Sequence, residues 1–249
     1  MKDFLSTLQK TVKPQTSPVA VKLFKETHFD GKAKVKNKKI NICQQIAYSR
    51  YYNWPTYITA EDSYCVLGAS CCGLIETPER VLNGEVNCNV YQKDIHAASN
   101  MQRLMPRIDE NIQGVLTYSL ERPVENIQPD VIVMYVNSAQ AMRFVQAFLY
   151  DKGGEFLMKS SGDAGVCSRG VAEVYKYRKP VLEIPCLGDR RFAMAQDFEI
   201  VVGFPFEMMD EVAEGLLSTH KAGIRYPIPF DMVESCSLPD DYTTKESDL

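Results

Sequence analysis

Two cysteine–glycine turns carry the most chemistry in this sequence. Gly162-Asp163-Ala164-Gly165-Val166-Cys167-Ser168-Arg169-Gly170 sets a cysteine among glycines just ahead of a segment that can start a helix, and Cys65-Val66-Leu67-Gly68 repeats its C-x-x-G pattern earlier in the chain. Each follows a strand-like run and a polar turn. A thiol at the mouth of a helix faces unpaired backbone N–H groups and the positive end of the macrodipole. Both favour thiolate, the form that binds metal or attacks an electrophile. The reading is that Cys65 and Cys167 meet Cys43 and Cys186 in space and hold a soft metal centre.

The elements that must position these residues follow from pattern. A short amphipathic helix is expected over 1–12, ended by Pro14 and Pro18, and then a strand over 17–24. Cys43 falls in the first turn of a helix that reaches Tyr52. A β-prone run, Thr56-Tyr57-Ile58-Thr59, precedes Cys65, and a short helix follows it. Further helices are expected from Pro78 to Leu82 and over 95–105, with strands over 86–91 and 114–120. Asp130-Val131-Ile132-Val133-Met134-Tyr135-Val136 is the strongest strand and should be central in its sheet. Asn137-Ser138 caps a helix over 139–150. Strands at 155–159, 180–185 and 198–204, a helix over 168–177 and an amphipathic helix over 206–219 complete the pattern. The expectation is one α/β domain over 1–249, a mixed sheet with packed helices, with residues 237–249 a frayed tail. Gly31 to Lys39 is a basic stretch, read as a solvated loop with an anion or partner contact as the alternative.

The order of parts also admits two similar βαβ-containing halves, about 17–105 and 129–219. In that reading Val19–Phe24 answers Val131–Val136, Gln44-Gln45-Ile46-Ala47 answers Gln140-Ala141-Met142-Arg143, Cys65 answers Cys167, and Cys88 answers Cys186. A site at a seam between such halves would take ligands from both.

Composition narrows the function classes. The chain has 249 residues, 45% apolar and 24% charged, ordinary for a globular protein with a full core. A net charge of -4 and a pI near 5.5 argue against a general nucleic-acid surface. No apolar run is long enough to span a bilayer, and the N-terminus lacks the apolar stretch of a secretion signal, so the expected compartment is the cytoplasm. Eight cysteines are many for a reducing compartment, where structural disulfides are not expected. About half suit the role of small buried hydrophobes; the others need metal or redox chemistry to explain them.

No C-x-x-C, C-x-x-C-H, G-x-S-x-G, H-E-x-x-H or Walker loop occurs, and the three histidines, His28, His96 and His220, suit surface or satisfied core roles. With imidazole scarce and thiols plentiful, the ligand set leans toward an iron–sulfur cluster ahead of copper or zinc. Arg169 and Arg190, with Arg191, could offset the charge of such a cluster, or could be surface ion pairs. Gly170 and Gly188, with Gly165, permit close backbone approach and N–H bonds to sulfur. Of adjacent Cys71 and Cys72, at most one should point inward.

These segments also resemble a known family. Ser17-Pro18-Val19-Ala20-Val21-Lys22, Cys43-Gln44, Cys65-x-x-Gly68 with Gly73-Leu74, Gln140-Ala141-Met142, Val166-Cys167 and Cys186-x-Gly188-x-Arg190 resemble the ArCR-related family of archaea and anaerobic bacteria, a domain of unknown function. The resemblance runs from about Ser17 to Leu217. It implies an anaerobic cytoplasm and family cysteines at Cys43, Cys65, Cys167 and Cys186. It also implies that Cys71, Cys72 and Cys88 are not primary ligands, and that Asp189 stands where another cysteine sometimes occurs. The family supplies no activity. The resulting expectation is a [4Fe-4S]-type cluster on Cys43, Cys65, Cys167 and Cys186, with Arg169, Gly170, Gly188 and Arg190 around it, used for redox or small-substrate activation. The alternatives are a metal-free enzyme with Cys167 or Cys186 as nucleophile, and a small-molecule-binding module whose cysteines are only core. The expected partner is a redox protein or a small-molecule substrate. The aromatic group Tyr51, Tyr52, Trp54 and Tyr57 could form a contact between copies of the chain.

Overall fold

The computed structural model describes residues 1–25, 29, 31, 33, 39–228, 242 and 244–248. Most of the basic stretch after Gly31 and most of the expected C-terminal tail lie outside the described residues. The first half runs α1 (Lys2–Thr11), β1 (Val19–Phe24), α2 (Ile42–Tyr52), β2 (Thr56–Ile58), α3 (Val66–Cys71), α4 (Glu79–Leu82), α5 (Ile95–Leu104) and β3 (Gly114–Ser119). The second runs β4 (Val131–Val136), α6 (Ser138–Leu149), a π-helix (Gly165–Glu173) that continues as α7 (Val174–Tyr177), β5 (Val181–Glu183), α8 (Leu187–Ala193), β6 (Ile200–Pro205) and α9 (Met209–Lys221).

The α/β class with packed helices is as expected. The six strands form one sheet in the order β2-β3-β1-β4-β6-β5, and every pairing within it is antiparallel. The expected mixed sheet is resolved by what sits between the parallel strands. Strands β1 and β2 run parallel to each other, as a βαβ unit requires, but β3 is inserted between them and pairs with both. Likewise β6 is inserted between β4 and β5. Each half is thus a split βαβ unit.

Alternation assigns the two sheet faces. Val19, Val21, Leu23, Val131, Val133 and Tyr135 face α2, α3 and the π-helix, while Ala20, Ile132, Met134 and Val136 face α1, α6 and α9. All six residues of β4 are buried, which agrees with its place in the middle of the sheet.

The strand order reads the same from either edge, and the register does too. Ala20 faces Ile132 at the centre of the β1–β4 pair. Thr117 of β3 lies between Val21 and Thr56, and Gly203 of β6 lies between Val133 and Val181. A twofold axis normal to the sheet at Ala20–Ile132 therefore exchanges β1 with β4, β3 with β6 and β2 with β5. Such an axis keeps each helix on its own face. It relates α2 to the π-helix, and it cannot relate α2 to α6, which packs on the opposite face. The equivalences that the sequence suggests are corrected accordingly. Cys43 corresponds to Cys167, each in the first turn of the helix that leads to an edge strand. Cys65 corresponds to Cys186, each at the N-cap of the short helix after that strand. Cys88 has no counterpart among these four.

Two expected strands are absent. Residues 86–91 form turns, because Asn89 is left-handed and the Asn87 side chain is tied to Asp163 and Gln102. Residues 155–159 have no strand partner. Of the expected aromatic contact surface, Tyr57 is buried, and Tyr52 stacks on Trp54 at 4.9 Å. No helix among the described residues is long and apolar enough to cross a membrane.

Candidate functional site

The four selected cysteines line one cavity of about 210 Å³. Each arrives by a local device. Asn41 starts α2 from an extended conformation, with its N–H donated to the Gln44 side chain at 2.9 Å, which puts Cys43 in the first turn. The bend after β2 is closed by Asp62, whose carboxylate accepts the Thr59 N–H and hydroxyl. That bend is pinned to the approach to α2 by a bridge between Ile40 and Ser63, so Cys65 is delivered beside Cys43. Ahead of the π-helix, Ala164 adopts φ 47°, and the Asp163 carboxylate accepts its N–H at 2.7 Å and the Asn87 amide at 2.7 Å. The π-helix then presents Cys167. From Cys167 to Val181 there is one residue more than from Cys43 to the equivalent Thr56, and a π-helix, with its i→i+5 bonding, is where such a residue is taken up. Cys186 follows β5 as the N-cap of α8.

The two halves interlock at this point: α2 packs on α8, and α3 packs on the π-helix. Gly68 makes the second contact possible, since a Cβ there would lie 3.3 Å from the Cys167 sulfur. Backbone groups meet the sulfurs directly. The Gly68 N–H points at the Cys65 sulfur at 3.5 Å, the Cys186 sulfur accepts the Asp189 N–H, and the Cys43 thiol lies 3.9 Å from the Gly188 carbonyl. Leu67, Tyr91, Leu187, Arg191 and Phe192 complete the walls.

The other selected residues divide. Gly188 lines the cavity, and its backbone meets Cys43. Gly170 serves helix-on-sheet packing instead: a Cβ on Gly203 would lie 2.6 Å from the Gly170 carbonyl oxygen. Arg169 turns to Glu173 at 2.6 Å and toward Glu183 at 3.9 Å, and it lines a different cleft with Lys159 and Lys179. Arg190 donates to the Gln196 carbonyl and to Asp197, while Arg191 is the arginine at the cavity. Cys71 and Cys72 are core residues with no exposure, their thiols near the Met105 sulfur and the Cys167 carbonyl. The seven described cysteines are all free.

Burial overrides the helix-mouth effect expected for the thiols. Desolvation, then the Asp189 carboxylate, pushes Cys43 well above the ordinary thiol value and Cys186 up to about 12. Desolvation, then Cys43, raises Cys167 in the same way. Asp189, which the resemblance marks only as standing where another cysteine sometimes occurs, also belongs to the site. It has no exposure, it lines the cavity, and burial raises it to about 6 against the pull of two backbone N–H bonds. The available signal was its position, third after Cys186, where Gly68 is third after Cys65.

Among the described residues, no three His, Cys, Asp or Glu side chains are grouped closely enough to hold a single metal ion. The four cysteines line the same cavity.

A family model described as DUF169, uncharacterised ArCR, matches residues 7–215. The chain belongs to the DUF169 family. An archaeal relative, the uncharacterized protein MJ0308 of Methanocaldococcus jannaschii, is 31% identical over 202 residues, which cover 80% of this chain and 85% of that protein. No solved structure matches the chain. The DUF169 match spans both split βαβ units and all four cysteines of the cavity. Neither description assigns DUF169 an activity, so its chemistry has to be argued from the cavity.

Proposed function

We propose that this protein holds an iron–sulfur cluster, of the [4Fe-4S] class, on Cys43, Cys65, Cys167 and Cys186. The observation that carries the reading is the convergence of these four sulfurs, two from each split βαβ unit, on one cavity. The donor set is soft, as iron–sulfur chemistry requires. Backbone N–H groups already directed at the Cys65 and Cys186 sulfurs are the kind of second-layer contact that tunes such a centre. When bound, the cluster would supply one-electron transfer or, at an iron left without a cysteine ligand, Lewis-acid activation of a small substrate. The chain's own contribution is a largely apolar wall, with Leu67, Leu187 and Phe192, and one arginine, Arg191, at the cavity.

Anaerobic reconstitution with iron and sulfide tests the reading. The expected result is a coloured protein that retains iron and acid-labile sulfide after desalting, and loses both in Cys167→Ser. A colourless, iron-free wild-type protein overturns it.

A further inference from the structure

A second cleft, of about 830 Å³, shares no lining residue with the cysteine cavity. Its volume is in the range of small-molecule sites. One wall is the segment that carries Leu157 and Lys159, pinned to β5 by the Ser160 hydroxyl, which donates to the Glu183 carboxylate. Another is the π-helix and α7, with Arg169, Glu173 and Tyr177, and Lys179 stands just ahead of β5. Three cations, Lys159, Arg169 and Lys179, thus line the cleft against one carboxylate, Glu173. Both lysines are exposed, and among the described residues neither has an ion-pair partner. The Arg169 side chain keeps only 10% exposure, yet its one hydrogen bond among the described residues runs from Nη1 to Glu173 at 2.6 Å. Its Nε is buried without a hydrogen-bond partner and faces Glu183 at 3.9 Å, too far to bond it. Its Nη2 is also unbonded but, unlike Nε, is not sealed from solvent. A guanidinium carries five N–H donors, and a nearly buried one with most of them unused is unfavourable until an acceptor meets it. Glu183 offsets its charge only in part at neutral pH, because burial raises that carboxyl to about 7. The fold does not need a cation here. Two residues after Cys43 the first unit has Gln45, whose amide N–H groups go to the Thr56 and Val115 carbonyls.

We infer that this cleft binds a small organic anion, with its carboxylate or phosphate among Arg169, Lys159 and Lys179 and its apolar body against Leu157 and Tyr177. The planar guanidinium offers paired N–H donors to either head group, and the lysines add point charges on flexible stems. Leu157 and Tyr177 are 71% and 53% exposed, so apolar surface lies open beside the cations. A ligand that joins a charged head to an apolar body covers both. The inference is independent of the iron–sulfur reading, since none of the four cysteines lines this cleft.

The test is titration calorimetry of the full chain against phenyl phosphate, benzoate, inorganic phosphate and benzyl alcohol. At least one of the two aromatic anions is expected to bind once per chain, ~tenfold or more tightly than inorganic phosphate and benzyl alcohol. Which of the two binds decides between a phosphate and a carboxylate head. The same anion is expected to lose ~tenfold in affinity in the Lys159→Ala/Lys179→Ala double variant, which changes only exposed side chains. Arg169→Lys, which keeps the charge and removes the planar fork, should also weaken it. Should either variant fail to fold by circular dichroism, the other decides. No binding of either aromatic anion, binding of benzyl alcohol as tight as theirs, or an affinity unchanged in the folded variants overturns the inference.

Discussion

Cys43 and Cys167 occupy equivalent places on either side of the sheet's central twofold, each in the first turn of the helix that leads to an edge strand. Cys65 and Cys186 repeat the relation one element later. The cavity is therefore a property of how two units meet, and neither unit contains it alone. Changes at the meeting surface should affect the centre and the fold together, while changes elsewhere should separate them.

Gly68 is a close-packed point of that surface. A Cβ at this position would lie 3.3 Å from the Cys167 sulfur and 3.5 Å from Ile42. Gly68→Val forces α3 away from the π-helix. The expected cost is ~1–3 kcal/mol in urea unfolding, with iron uptake falling in parallel. A variant with wild-type stability and iron content would show that the interface is looser than described.

The two buried core cysteines should behave unlike the four at the cavity. Cys71 and Cys72 have no exposure and pack among apolar side chains. Cys72→Ala should keep full iron content in reconstitution. Cys71→Ser should also keep it but lose roughly 1–3 kcal/mol, because a more polar hydroxyl replaces a fully buried thiol that rests on the Met105 sulfur. Iron loss in Cys72→Ala with the fold intact would put Cys72 among the ligands.

Arg50 and Glu199 form a buried ion pair, with side-chain exposures of 1% and 4%, and the guanidinium lies between the Tyr51 and Tyr135 rings at 4.4 and 4.0 Å. Removing one partner strands the other charge. Arg50→Met is expected to cost ~3–5 kcal/mol by chemical denaturation. The exposed pair Arg178–Glu207 is the control, and Arg178→Met should cost no more than ~1 kcal/mol. Equal effects at the two sites would contradict the assignment of Arg50 to the interior.

Glu183 should give the protein a pH-dependent stability. Burial raises its pKa to about 7, against the pull of the Ser160 hydroxyl, the Ile184 N–H and Arg169. A carboxyl whose folded pKa lies above its unfolded value binds more protons when folded, so its contribution is full below about pH 4.5 and is lost as pH rises through 7. The loss is at most ~3 kcal/mol between those limits. Urea midpoints of the metal-free protein measured from pH 4.5 to 8 should fall, and Glu183→Gln should flatten part of that slope. Asp163 and Asp189, also raised by burial, contribute with the same sign, so some slope remains. An unchanged slope in Glu183→Gln would mean that Glu183 titrates normally.

Local chemistry made much of this legible in the sequence. The capping residue Asn137, the unbroken apolar run of β4 and the amphipathic period of α9 each announce their element. The four cysteines stood out by residue type and by their turns. The pairing between halves was not legible, because equivalence is set by strand register. Val21 and Thr56 flank Thr117 as Val133 and Val181 flank Gly203, and little in the residue types reveals it. Sequence similarity therefore matched α2 to α6, helices on opposite faces. Arg169 misled for a related reason. It lies two residues from Cys167, but the π-helix turns its side chain to Glu173 and a separate cleft. Asp189 was marked only through the resemblance, as standing where another cysteine sometimes occurs; its place in the cavity depends on α8 packing against α2, which local pattern does not reveal.

Crystals of the protein reconstituted and grown without oxygen, measured on both sides of the iron absorption edge, test the central claim most directly. The account predicts an anomalous iron peak inside the cavity bounded by Cys43, Cys65, Cys167 and Cys186, with density continuous to the four sulfurs. An iron-loaded crystal with no peak there, or with its iron bound elsewhere on the chain, would contradict it.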